Sequence, residues 1–153
     1  FWTKERLDKA ASLKLSPMDV SIVASIVRCE SNYVPEYPDL AGVYLNRLKR
    51  GMRLQACPPV ACCYDFKLTR VLNKHLKVDS PYNTYTHGGL PPGPICCPTK
   101  AALDAVLYAN LSSGYLYFCA STQTPGRHLF ATTYKEHSRN AKTYQQKVLD
   151  KKH

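Results

Sequence analysis

Apolar positions along this chain recur mostly with a helical period. Trp2, Leu7, Ala10, Ala11 and Leu13 follow that spacing up to Ser16-Pro17 and predict a first helix within residues 1–15. Ser16 suits a cap, Pro17 a first turn, and Asp19 sits three residues after the cap, so a second helix begins there. Its stripe is Val20, Ile22, Val23, Ile26 and Val27. Glu30 falls four residues after Ile26 and seven after Val23, which places a carboxylate on the apolar face at the end of that helix.

Residues 32–38 read as a loop, followed by a third helical face through Leu40, Val43, Tyr44, Arg47 and Leu48 that Gly51 can end. Pro58-Pro59 predicts irregular structure over 52–66, and a short helix is expected near Leu68 to Lys74. From Val78 to Pro98, proline and glycine are too frequent for an element, so a long ordered loop is expected. Residues 101–107 form another helical face. Tyr115 to Ala120 and His128 to Ala131 read as two strands joined near Pro125-Gly126, and a polar helix starts at about Tyr134. No internal repeat or linker is visible. The expectation is one mixed α+β domain over 1–153, with several helices, a small antiparallel hairpin and a Pro-rich active-site loop.

Charge narrows the partners only partly. Twenty-one Lys and Arg against 11 Asp and Glu give +10, a field that attracts any polyanion, whether nucleic acid, anionic lipid or a carboxylate-rich wall polymer. No apolar run approaches the ~20 residues of a bilayer span. Seven cysteines leave at least one outside any intramolecular pairing. Cys62-Cys63 and Cys96-Cys97 lack the usual zinc spacing, and buried apolar filling is the plainer reading for most of the cysteines.

Burial disfavours the charged form of a carboxyl group and moves its pKa toward the value a proton donor needs at neutral pH. Glu30 has the address for this, although a structural ion pair with Arg28 or Arg47 would look the same in sequence. Glycoside cleavage usually takes two carboxyl groups, and Asp65, Asp79, Asp104 and Glu136 are the candidates for the second. A substrate whose own hydroxyl attacks makes the second one unnecessary. Tyr82 and Tyr85 suit stacking on sugar faces, with Asn83 and Thr84 as hydrogen-bond partners. The competing chemistry is a cysteine nucleophile with His128 or His137 as base, but neither Cys29 nor Cys57 has local context that marks it.

ASIVRCES at 24–31, YLNRLKRGM at 44–52, LQACP at 54–58, DSPYNTY at 79–85, GLPPGPI at 89–95, HLF at 128–130 and TYKEH at 133–137 follow one another in a familiar order. Together they resemble the YceG-like (MltG) endolytic murein transglycosylases over nearly the whole chain. The resemblance implies cleavage of the β-1,4 bond between N-acetylmuramic acid and N-acetylglucosamine within peptidoglycan strands. The muramic acid 6-hydroxyl attacks C1 to leave a 1,6-anhydro end. It implies Glu30 as general acid and base. Asn46, Gln55, Ser80, Tyr82, Asn83, Thr84 and Tyr85 would line the cleft, with His128, Glu136 and His137 in support. It implies no metal or organic cofactor, the glycan strand and wall-synthesis machinery as partners, and no nucleic-acid role. The family's N-terminal membrane helix and LysM-like region are not visible here, so a monomeric catalytic fragment is expected, of a protein acting on the periplasmic side of the cytoplasmic membrane. Arg28 stands where many members carry an acid, and Cys57-Pro58-Pro59 replaces a common Asp-Pro-Thr; either departure would slow the enzyme or shift the acid role to Glu136. The alternatives are a non-catalytic glycan-binding relative and a basic nucleic-acid binder.

Overall fold

A computed structural model describes residues 1–67 and 71–150, with side chains described through Thr143. The element order is α1 (Lys4–Ser12), α2 (Pro17–Glu30), α3 (Tyr37–Lys49), α4 (Cys57–Cys63), α5 (Lys100–Leu107), β1 (Tyr117–Ala120), β2 (His128–Ala131) and α6 (Tyr134–Asp150). Single 3-10 turns lie at Val34–Glu36 and Asn73–Lys77. The two strands form an antiparallel ladder in which Phe118 opposes Phe130 and Ala120 opposes His128.

α2 is the central helix. Its start is closed by a capping box: the Asp19 amide donates to Ser16 Oγ at 3.0 Å, and the Ser16 amide donates to the Asp19 carboxylate at 2.9 Å. From Ile22 to Val27 every side chain is buried, so the helix is enclosed on most sides, by α3, α4 and α5. Such burial contributes roughly 1.5–3 kcal/mol for each large aliphatic side chain. α3 packs on α5 and the residues after it through Gly42, whose missing side chain admits the Asn110 carbonyl. The Asn110 amide donates to Pro38 O at 3.0 Å and its side chain to Asp39 at 2.8 Å, which fixes that approach.

The α+β reading matches the architecture, with three corrections in the middle of the chain. Residues 57–63 are helical despite Pro58-Pro59, because both prolines occupy the first turn, where an amide N–H has no intrahelical partner to lose. α3 begins at Tyr37 rather than near Leu40 for the same reason, with Pro38 in its first turn. Of the helix expected over Leu68 to Lys74, residues 68–70 lie outside the described residues, and the rest is a loop entering the 3-10 turn. The 78–98 segment contains no helix or strand. No single helix among the described residues is long and apolar enough to cross a bilayer.

Gly42→Ala is expected to destabilise the protein by on the order of 2 kcal/mol, because the new methyl would overlap a backbone carbonyl rather than a movable side chain. A lowered midpoint in urea, with an unchanged slope, checks this.

Candidate active site

Glu30 is the last residue of α2, and only part of its surface remains exposed. Its position follows from the stripe: the face that carries Val23, Ile26 and Val27 into the core carries Glu30 to the core's rim. Burial raises its pKa to about 7, opposed by a hydrogen bond from the Tyr44 hydroxyl to Oε2 at 3.3 Å. Tyr44 is itself fully buried on α3 and meets Phe118 of β1 edge-on at 5.9 Å, so the donor is held from two sides. A carboxyl group in this setting is divided between its acid and base forms near neutrality.

Three cavities, of about 390, 670 and 450 Å³, are all lined by Glu30. The first runs under the hairpin between Gln55, Tyr85, His128 and His137; the second passes Arg28 and Asn32 toward Phe66; the third opens past Tyr33 and Arg127. Each pair shares further wall residues, with Cys57 between the first and second, Cys29 between the second and third, and His128 between the first and third. Among the described residues, Glu30 is the only carboxylate on these walls. Asp79 is exposed, Asp65 lies in the left-handed turn after α4, and Asp104 pairs with Arg6 of α1 at 3.5 Å. Glu136 is exposed on the first turn of α6 and lines none of the three.

The other residues singled out in the sequence divide sharply. Gln55, Tyr85, His128 and His137 line the first cavity. Gln55 has a positive φ of 50°, and its amide donates to Thr84 O at 3.2 Å, a strained conformation held from the Pro-rich loop. Asn83 and Thr84 are not donors to a ligand. Both are buried; the Asn83 amide serves Leu76 O and Val78 O, and the Thr84 hydroxyl receives Ala56 N–H while donating to Ala56 O. Ser80 closes the turn before them by accepting from Tyr82 N, and Tyr82 packs on the core; neither lines the Glu30 cavities. Asn46 is also away from them, donating to Tyr115 O at 3.1 Å beside a separate cavity. Their common work is to hold the loop and the hairpin against α3 and α4.

Sequence reasoning missed three supports of the site. Glu36, in the turn before α3, accepts the His128 amide at 3.0 and 3.1 Å, and its Oε2 lies 3.3 Å from Nδ1 of the same residue. Arg47, read as part of a helix face, is buried and donates to Leu116 O and Arg53 O while lying over the Tyr117 ring at 4.9 Å. Burial lowers the pKa of Arg47. Burial and then the Arg47 charge lower that of His137, which stacks on Tyr117 at 5.2 Å. Tyr44 was read only as apolar. Glu36 and His128 are 92 residues apart, so no local pattern could have joined them. For the cysteine-nucleophile alternative, burial disfavours the thiolate at each cysteine on the Glu30 cavity walls: it pushes the Cys29 thiol up to about 12 and raises Cys57, whose sulfur sits 3.2 Å from the Tyr85 hydroxyl, and Cys119.

A helical layer carrying one buried glutamate, walled by a hairpin and a proline-braced loop, defines the class: the chain belongs to the YceG-like family, whose model matches residues 1–143. It is 37% identical over 131 residues to the endolytic murein transglycosylase of Bacillus subtilis (strain 168), covering 86% of this chain and 36% of that protein. It is 32% identical over 136 residues to the protein of that name from Streptococcus pneumoniae serotype 2, covering 84% and 24%. The crystal structure of a putative YceG-like protein from Listeria monocytogenes superposes with a TM-score of 0.79 at 37% identity, over 88% of this chain and 43% of that one. The chain therefore spans roughly a quarter to a third of the curated relatives it matches.

Glu30 also makes stability depend on pH. Its folded pKa of about 7 lies above the 4.5 of an ordinary glutamate, so its contribution is full below the unfolded pKa and is lost as pH rises toward and through 7. Between pH 4.5 and 8 the loss is on the order of 3 kcal/mol. Glu30→Gln is expected to remove this part of the decline, so the difference in thermal melts between variant and parent should change from about pH 4.5 to 7 and stay constant at higher pH.

Proposed function

We propose that this chain is the catalytic part of an endolytic peptidoglycan lytic transglycosylase, with Glu30 as its one acid and base. The observation that carries the reading is the single carboxyl group, near neutrality in pKa, on the wall of three adjoining cavities. Protonated Glu30 donates to the glycosidic oxygen between N-acetylmuramic acid and N-acetylglucosamine as the C1–O bond breaks. The muramic acid 6-hydroxyl then attacks C1, and Glu30 takes up its proton, returning to the acid form. The product is a 1,6-anhydro end and no water is consumed, so a second carboxylate is not required.

In this reading Gln55, Tyr85, His128 and His137, which line the cavity beneath the hairpin, contact the sugar, and Glu36 acts through His128 by fixing its backbone and ring. The Arg28 departure does not reach the acid: burial and Tyr44 are the groups that set Glu30, and the guanidinium lies beside Cys96. Cavities on more than one side of Glu30 suit a strand gripped within its length rather than at an end. The natural partner is then the glycan strand. We place the whole protein at the outer face of the cytoplasmic membrane, beside the wall-synthesis machinery.

Purified sacculi incubated with the protein are expected to yield anhydromuropeptides, and Glu30→Gln to yield none while still melting cooperatively. Binding to sacculi without products from the parent chain would mean a non-catalytic module instead. Because the resting enzyme must hold a proton on Glu30, kcat/KM should fall tenfold per pH unit above about 7. Tyr44→Phe removes a donor to the carboxylate, so that alkaline limb is expected to move upward by roughly 0.5 to 1 pH unit. A limb that stays in place in the variant would detach the acid role from Glu30.

A further inference from the structure

The residue before Glu30 does not share its task. Cys29 sits on the last turn of α2, half-buried, with its sulfur 2.8 Å from that of Cys96, which lies 67 residues away at the end of the Pro-rich loop. The register that brings them together is fixed one helical turn earlier. Ser25, fully buried, accepts the Ile95 amide on its hydroxyl at 3.1 Å, and its carbonyl lies 3.3 Å from the Cys96 sulfur. Ser25 and Cys29 are four apart on one helix, as two neighbours on one face must be, and Ile95 and Cys96 follow them along the loop.

We infer that Cys29 and Cys96 form a disulfide that staples the catalytic end of α2 to the Pro-rich loop. The other five cysteines are outside this pairing; Cys97, adjacent to Cys96, is exposed, and Cys62 lies on α4. The pairing goes beyond the reaction proposed above and rests on it only for setting, since a wall-facing compartment is one where such bonds persist.

The chemistry is thiol–disulfide exchange with a low-molecular-weight disulfide as oxidant. The Cys96 sulfur, as thiolate, attacks one sulfur of the oxidant and expels the first thiolate. Cys29 then gives up its proton and attacks the Cys96 sulfur, expelling the second. Two cysteines are oxidised, one disulfide is reduced to two thiols, and the released thiolates take up the protons. The raised pKa of Cys29, from burial and from Cys96, makes the second step the slower one. The bond closes a long loop, and it holds a helix terminus that would otherwise fray.

The test is peptide mapping of the intact chain after exposure to oxidised glutathione, with remaining thiols alkylated before digestion. The expected result is one crosslinked peptide pair joining residues 29 and 96. The oxidised form should also melt higher than the reduced form, on the order of 5 °C or more. Cys29→Ser and Cys96→Ser should each abolish the crosslink and the redox-dependent shift in melting, and Cys62→Ser and Cys97→Ser should keep both. Alkylated Cys29 in the oxidised parent, or a crosslink from Cys96 to Cys62 or Cys97, would overturn the assignment. No substrate enters the measurement, so its outcome is separate from that of the transglycosylase assay.

Discussion

A carboxyl group held at the rim of an apolar helix, with a buried phenol as its hydrogen-bond donor, organises everything around it. Glu30 keeps its proton near neutrality because α2 carries it to the edge of the core, where water is scarce but not excluded. Tyr44 keeps that burial from going too far by offering the charged form one hydrogen bond. The rest of the molecule holds these two groups in register. Gly42 lets α3 close on the segment after α5, Phe118 braces the phenol, and Arg47 ties α3 to the start of the hairpin.

The Pro-rich loop and the hairpin act differently on the groove. The loop is a rigid brace whose polar side chains are turned inward, so that Asn83 and Thr84 satisfy backbone groups that would otherwise be buried unpaired. Only Tyr85, from the signature at 79–85, reaches the first cavity. The hairpin supplies the opposite wall through His128, and α6 packs behind it to present His137.

Much of the helical fold, and the place of Glu30, was legible because periodicity reports which face of a helix is buried. The reading failed where one residue type has two uses. Pro58-Pro59 breaks a helix interior but opens a helix at its first turn, and the sequence carries no local mark of which applies. Asn83 and Thr84 look alike whether they face sugar or backbone, and only the fold shows that their partners are internal. Glu36 was invisible for a deeper reason: its meaning depends on a residue that the chain reaches only after folding back from the far side of the core. The motifs at 24–31, 44–52, 54–58, 79–85, 128–130 and 133–137 each contribute wall residues to the Glu30 cavities and 89–95 contributes none, a division that the motifs themselves do not mark.

A sheet of two strands has little rigidity of its own. The outer wall of the groove is tied to the helical layer on one flank by side-chain bridges, Glu36 to the amide of His128 and Arg127 to the hydroxyl and ring of Tyr33. Those two attachments brace the hairpin on that flank, while α6 and α3 also pack against it. Anchor and cavity wall are the same side chains here, because Arg127 and Tyr33 also line the third cavity beside Glu30.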